Sequence, residues 1–179
     1  MKDKRFSVFT CIIFISICIM TFFIAHLLRF IRDEYLGDRL INAIMQRDAS
    51  DTEMFLQKGA DPNRKCVIGL STDWPIEKAN ASSDLKIMTL LIKYGVDVNH
   101  RSEVTSTPLM DTRSPQIAQM LLDAGANPFL KDNAGYTALQ FAIQRKLPEV
   151  EEVLRRAETR QESAIQSNTQ SKPQSATDR

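Results

Sequence analysis

The sequence predicts an all-α protein: one membrane-crossing helix at the N-terminus, then a short stack of helix-turn-helix repeats. Three observations predict it. An uncharged apolar run opens the chain, three related segments recur at near-regular spacing, and a glycine closes each of those segments. The chain has 179 residues, enough for one modest domain with attachments.

From Phe6 to Leu28 there is no Lys, Arg, Asp or Glu, and the run contains neither Pro nor Gly. Such a helix reaches about 34 Å, enough for a hydrocarbon core of roughly 30 Å. Its many β-branched and aromatic residues are tolerable there, because lipid forces every backbone group to pair within the helix. A buried core helix would show an amphipathic face at this length. A cleaved signal peptide would offer a small-x-small site, which Ile24-Ala25-His26-Leu27-Leu28 lacks. Residues 6–28 are therefore expected to sit in the lipid bilayer. Lys2, Lys4 and Arg5 precede the run, while Arg29 and Arg32 beyond it are offset by Asp33 and Glu34. This bias favours a cytoplasmic N-terminus and an extracytoplasmic repeat domain, periplasmic if the membrane is a bacterial inner one.

Beyond a juxtamembrane helix or linker at 29–37, the segments LQKGADPN (Leu56 to Asn63), LIKYGVDVN (Leu91 to Asn99) and LLDAGANPF (Leu121 to Phe129) align. Apolar stripes at helical spacing lead into Gly59, Gly95 and Gly125, which suit the left-handed residue that ends a helix. Pro115 and Pro148 suit helix starts, with Ser114 as an N-cap. Ala43, Ala79 and Ala142 share one position of the first helix, where a small side chain admits a neighbour. No helix pair can bury its apolar face alone, so stacking has to complete the core.

These segments, with WPIEKA (Trp74 to Ala79), TPLM (Thr107 to Met110) and above all Asp132-Asn133-Ala134-Gly135-Tyr136-Thr137-Ala138-Leu139-Gln140-Phe141-Ala142, resemble the ankyrin-repeat family. The family's Thr slot falls at Asp38, Trp74, Thr107 and Thr137, giving intervals of 36, 33 and 30 residues. The middle interval equals the family period; the others point to an insertion between Asn63 and Trp74 and a shortened first helix or turn in the third repeat. The resemblance implies a solenoid over 38–158, with repeats near 38–63, 64–99, 100–129 and 130–158. The chain departs from the family at its TPLH histidine, replaced by Ile41, Glu77, Met110 and Gln140. The polar tail, 159–179, is expected to be disordered, because it has too little apolar area to offset ordering entropy.

The resemblance implies a protein partner, bound through hairpin tips and the adjoining face of the first helices. The matching positions are Leu70, Ser71, Asp73, Ala81 and Ser82; Glu103, Val104 and Ser106; and Asn133, Ala134, Tyr136, Gln144 and Arg145. Tyr136 stands out because aromatic residues are enriched among binding hot spots; packing against the neighbouring hairpin is its other reading. Trp74 is expected to be structural and to touch the inserted loop. Two further functional readings are an inhibitor or protective protein occluding an enzyme or toxin, and a structural membrane protein acting through its helix.

Other classes find little here. A formal net charge of +1 leaves no basic excess for phosphates, so no nucleic-acid binding is expected. Cys11, Cys18 and Cys66, with His26 and His100, offer neither a metal quartet nor a catalytic triad, so no metal, cofactor or enzymatic activity is expected. Asn80-Ala81-Ser82 is a glycosylation sequon by pattern.

Overall fold

A computed structural model describes residues 3–68, 71–103 and 105–170. The architecture is helical. Helix α1 (Asp3–Met45) carries the apolar run, and α2 (Ala49–Gln57) folds back beside it. A small antiparallel hairpin, β1 (Cys66–Ile68) and β2 (Ser71–Asp73), pairs Cys66 with Asp73 and fills the insertion. Three helix pairs follow: α3 (Pro75–Ser82) with α4 (Leu85–Lys93), α5 (Pro108–Asp111) with α6 (Pro115–Asp123), and α7 (Ala138–Gln144) with α8 (Pro148–Gln170).

α1 is continuous through 29–37, with no linker between the apolar run and the first pair. Two environments divide it. From Ile13 the apolar stretch is long and apolar enough to cross a membrane, and it buries nothing against the protein. From Leu36 onward Leu40, Ile41, Ala43 and Ile44 are buried. These residues start a single core that continues through Leu56, Ile76, Ile87, Leu91, Leu109, Ile117, Leu121 and Leu154.

Local chemistry sets the boundaries. Asp48 accepts from the N–H groups of Ser50 and Asp51, Asp84 from those of Lys86 and Ile87, and Ser114 from that of Ile117, so three second helices start on side-chain caps. Pro begins α3, α5, α6 and α8, where its missing N–H costs nothing. Gly59, Gly95 and Gly125 have φ of +91°, +81° and +93° and end the second helices. The pair α5–α6 has the short first helix, four residues long.

α8 departs from the sequence expectation. It runs to Gln170, although disorder was expected from Thr159. Ion pairs at i,i+4, Glu151–Arg155 and Glu152–Arg156 at 2.7 Å each, reinforce its exposed face, and Thr159 Oγ1 donates to the Arg155 carbonyl. Helical pairing needs no core of its own when α8 is already nucleated on the stack at Val150 and Leu154.

Successive pairs are joined by one repeated device. Asn63 Nδ2 donates to the Gly95 carbonyl at 2.9 Å, and its Oδ1 accepts from Asp97 N at 2.6 Å. Asn99 does the same to Gly125 (3.2 Å) and Asn127 (2.8 Å). The same atoms meet the same atoms one unit later, so the two joints are equivalent.

Candidate functional site

The first helices α3, α5 and α7 stand side by side, and the loops before them carry most of the expected interaction residues. The structure sorts those residues into three groups.

Some are exposed and available. Asn133, Ala134 and Tyr136 sit in the tight turn before α7, which is closed by Asp132: its N–H donates to the Tyr136 carbonyl and its Oδ1 accepts from Ala134 N and Tyr136 N. Gly135 takes φ +86° in this turn. Tyr136 is 48% exposed. Its ring lies 6.0 Å from that of Phe141 of its own unit. Gln144 and Ala81 are exposed, Ser82 is half-buried, and Glu103 is exposed in an ion pair with Lys65 across adjacent loops.

A second group is spent on structure. Ser106 is buried, with its hydroxyl 2.5 Å from Asp111 Oδ2 and 2.9 Å from Ser102 Oγ, so it is not a docking residue. It ties the loop to a first helix only four residues long. Asp73 has a side chain only 13% exposed and pairs with Lys78 at 2.9 Å. Ser71 pairs with Ile68 in the hairpin. Leu70 and Val104 lie outside the described residues.

Arg145 belongs to both. Its Nη1 donates to the Met110 carbonyl at 2.8 Å, its Nη2 lies 3.3 Å from Asp111 Oδ1, and its guanidinium sits 4.9 Å from the Phe141 ring centroid. It thus satisfies a carbonyl that the short α5 leaves without a helical donor. With Asn80, Ala81, Ser83, Asp111 and Arg113 it lines a cleft of about 310 Å³. Asn80 is buried, and its Nδ2 donates to the Pro108 carbonyl at 2.8 Å. The sequon at Asn80 is therefore incompatible with glycosylation of the folded chain, since the acceptor nitrogen is already engaged.

Sequence reasoning missed a polar cluster below the second loop. The Trp74 ring lies 4.0 Å from that of His100, so Trp74 packs on the next unit's loop. His100 Nε2 and Glu77 Oε1 face each other at 3.6 Å, and neither has a hydrogen-bond partner among the described residues. Burial, with Asp111, Asp73 and Glu103 nearby, raises the Glu77 carboxyl; burial lowers His100, with Asp97 opposing. Glu77 stands in the first helix of one unit, and His100 supplies an imidazole from the adjacent loop. That reciprocity was the available signal.

Burial, chiefly, pushes the Cys66 thiol up to about 11, so it stays protonated and unreactive. Among the described residues no group of three or more His, Cys, Asp or Glu could hold a metal.

No family model matches the chain. Among curated proteins it is similar to a probable E3 ubiquitin-protein ligase, XBOS33, of Oryza sativa subsp. japonica: 34% identity over 110 residues, 59% of this chain and 21% of that protein. It is also similar to the E3 ubiquitin-protein ligase hecd-1 of Caenorhabditis elegans, 34% identical over 116 residues, 63% of this chain and 4% of the relative. The ADP-ribosylation factor GTPase-activating protein AGD2 of Arabidopsis thaliana is 30% identical over 90 residues, 49% of this chain and 11% of the relative. The chain thus spans about a fifth or less of the length of each.

Proposed function

We propose that this chain is a membrane-anchored protein-interaction module: an ankyrin-type repeat solenoid over 38–158, held at the bilayer by α1 and binding one partner protein. The observation that supports the reading is the joint repeated at Asn63 and Asn99; units joined alike would present the exposed side chains of successive loops and first helices on one face. Tyr136, Asn133, Gln144 and Arg145 from the last unit, with Ala81 and Glu103 from earlier ones, form the contact surface. Tyr136 is the anchor, an amphipathic ring half in water. The relatives support a portable module, since the matched stretch is a small part of proteins named for different activities. No catalytic step is assigned to it. The repeat domain lies outside the cytoplasm, a placement that a topology reporter fused after Arg179 tests directly.

Site-specific photo-crosslinking tests the surface. A crosslinker at Gln144 should capture a partner that one at Gln119, on the outer helix layer, does not. Tyr136→Ala should weaken that capture by about thirtyfold, the loss expected of a hot spot. Equal capture at the two positions, or none lost on Tyr136→Ala, removes the surface assignment.

A further inference from the structure

The continuity of α1 fixes how the stack stands on the membrane. The apolar run ends at Leu28, and Phe30 lies only about 3 Å further along the helix axis. The headgroup region beyond the hydrocarbon core is about 5–8 Å deep. The Arg64 guanidinium sits 5.8 Å from the Phe30 ring centroid. The loop after α2 has therefore turned back towards the end at which α1 leaves the lipid, with Arg64 Cδ beside Gly37 and its guanidinium reaching down to Phe30. Gly37 permits this approach, since a Cβ there would lie 2.9 Å from Cys66 Sγ and 3.5 Å from Arg64 Cδ.

Direct contacts then tie this loop to the loops of the following units. Asn63 grips Gly95 and Asp97, Asn99 grips Gly125 and Asn127, and Arg101 Nη1 donates to the Lys131 carbonyl at 3.1 Å. The turns that join first to second helices occupy the opposite end, about 15 Å further along α1 for the 10 residues from Leu36 to Met45.

We infer that the loop layer carrying Arg64, Arg101, Phe129 and Lys131 rests on the lipid headgroups of the bilayer that α1 spans, leaving the turn end of the stack exposed to water. The inference rests on reading α1 as a span. Its residue chemistry suits that place: exposed Phe129 and Lys131 match the aromatic and cationic side chains favoured at membrane interfaces. A partner then meets the stack from the side or from the turn end.

The native chain has a single tryptophan, Trp74, at the loop end. The full chain is reconstituted in phosphatidylcholine vesicles carrying a few dansyl-headgroup lipids, and energy transfer from tryptophan to dansyl is measured. Trp74, and Phe129→Trp in a Trp74→Phe background, should transfer more than Lys86→Trp or Glu149→Trp in that background. The expected difference is about twofold or more, given the ~15 Å between the ends. Circular dichroism checks that each variant keeps its helical content, and each end has two probes. Equal or reversed transfer overturns the orientation. Ile19→Trp in the same background reports the span separately, through quenching by lipids brominated on their acyl chains. Loss of that quenching overturns the span and the orientation with it, whereas quenching at Ile19 with equal transfer at the two ends overturns the orientation alone.

Discussion

The two halves of α1 share one uninterrupted backbone and are stabilised by different surroundings. Along the N-terminal half every described apolar side chain is exposed to whatever surrounds the protein; Phe14, Phe22 and Phe23 are 67%, 70% and 68% exposed. Along the C-terminal half Leu40, Ile41 and Ile44 have no exposed surface at all. The first half needs a lipid solvent, and the second needs the neighbouring helices. One helix therefore carries two independent sources of stability, and a substitution should damage one without the other.

Leu40→Ala should have the largest effect on the stack, costing about 2–5 kcal/mol through lost transfer energy and a residual cavity. Denaturant unfolding of the detergent-solubilised chain measures it, and membrane insertion should be unchanged. Ile19→Asp is the reciprocal case. It should cost insertion about 2.5–3.5 kcal/mol, as for an acid near a helix centre, while leaving the unfolding midpoint of the stack in place. If Ile19→Asp unfolds the stack, the two halves are one cooperative unit and the comparison fails.

Smaller effects test the joints between units. Arg145→Ala should cost about 1–3 kcal/mol, because the Met110 carbonyl loses its donor. Arg145→Lys should recover only part of that, since a single ammonium cannot reach Met110, Asp111 and the Phe141 face together. Asn99→Ala removes two inter-unit hydrogen bonds at an exposed loop and should cost about 1 kcal/mol.

The smallest effect is a pH slope. Folded His100 holds a proton less readily than the unfolded chain, whose ordinary value is 6.5. Its contribution is therefore intact above pH 6.5 and is lost as pH falls through its lowered folded value. Glu77 acts in the opposite sense. Its raised folded value favours the protonated carboxyl, so its burial penalty is relieved as pH falls through that value towards 4.5. His100→Gln should flatten the acid limb that begins at pH 6.5, as followed by urea unfolding across that range. An unchanged slope would mean that the imidazole is already solvated in the folded chain.

Much of the repeat pattern was legible because it rests on local chemistry. Gly59, Gly95 and Gly125 take the left-handed conformation their position suggested, and Pro115, Pro148 and Ser114 start helices as expected. Ala43, Ala79 and Ala142 are all buried. The rest depended on neighbours far along the chain. Nothing in the string around Ser106 says that Asp111 will take its hydroxyl, nor that Lys78 will hold Asp73. The segment 29–37 reads as a juxtamembrane helix or a linker by composition, and the helix passes through it because both of its flanks are helical and Gly37 is tolerated where Cys66 packs closely. The polar stretch from Thr159 reads as disordered because composition speaks only to core formation, whereas a helix already started can propagate along it.

The asparagine joints have a further consequence. The unit 64–99 presents at its exit the group, Asn99, that matches what its own entrance accepts through the Gly95 carbonyl and the Asp97 N–H. A duplicated copy of that unit would bond to the original without any new chemistry. Phe129 stands where the following asparagine would be and offers no amide to pass on. The asparagine joint is thus a link that can be copied, whereas the last pair, α7–α8, is joined without it, through Arg145 on Met110 and Asp111.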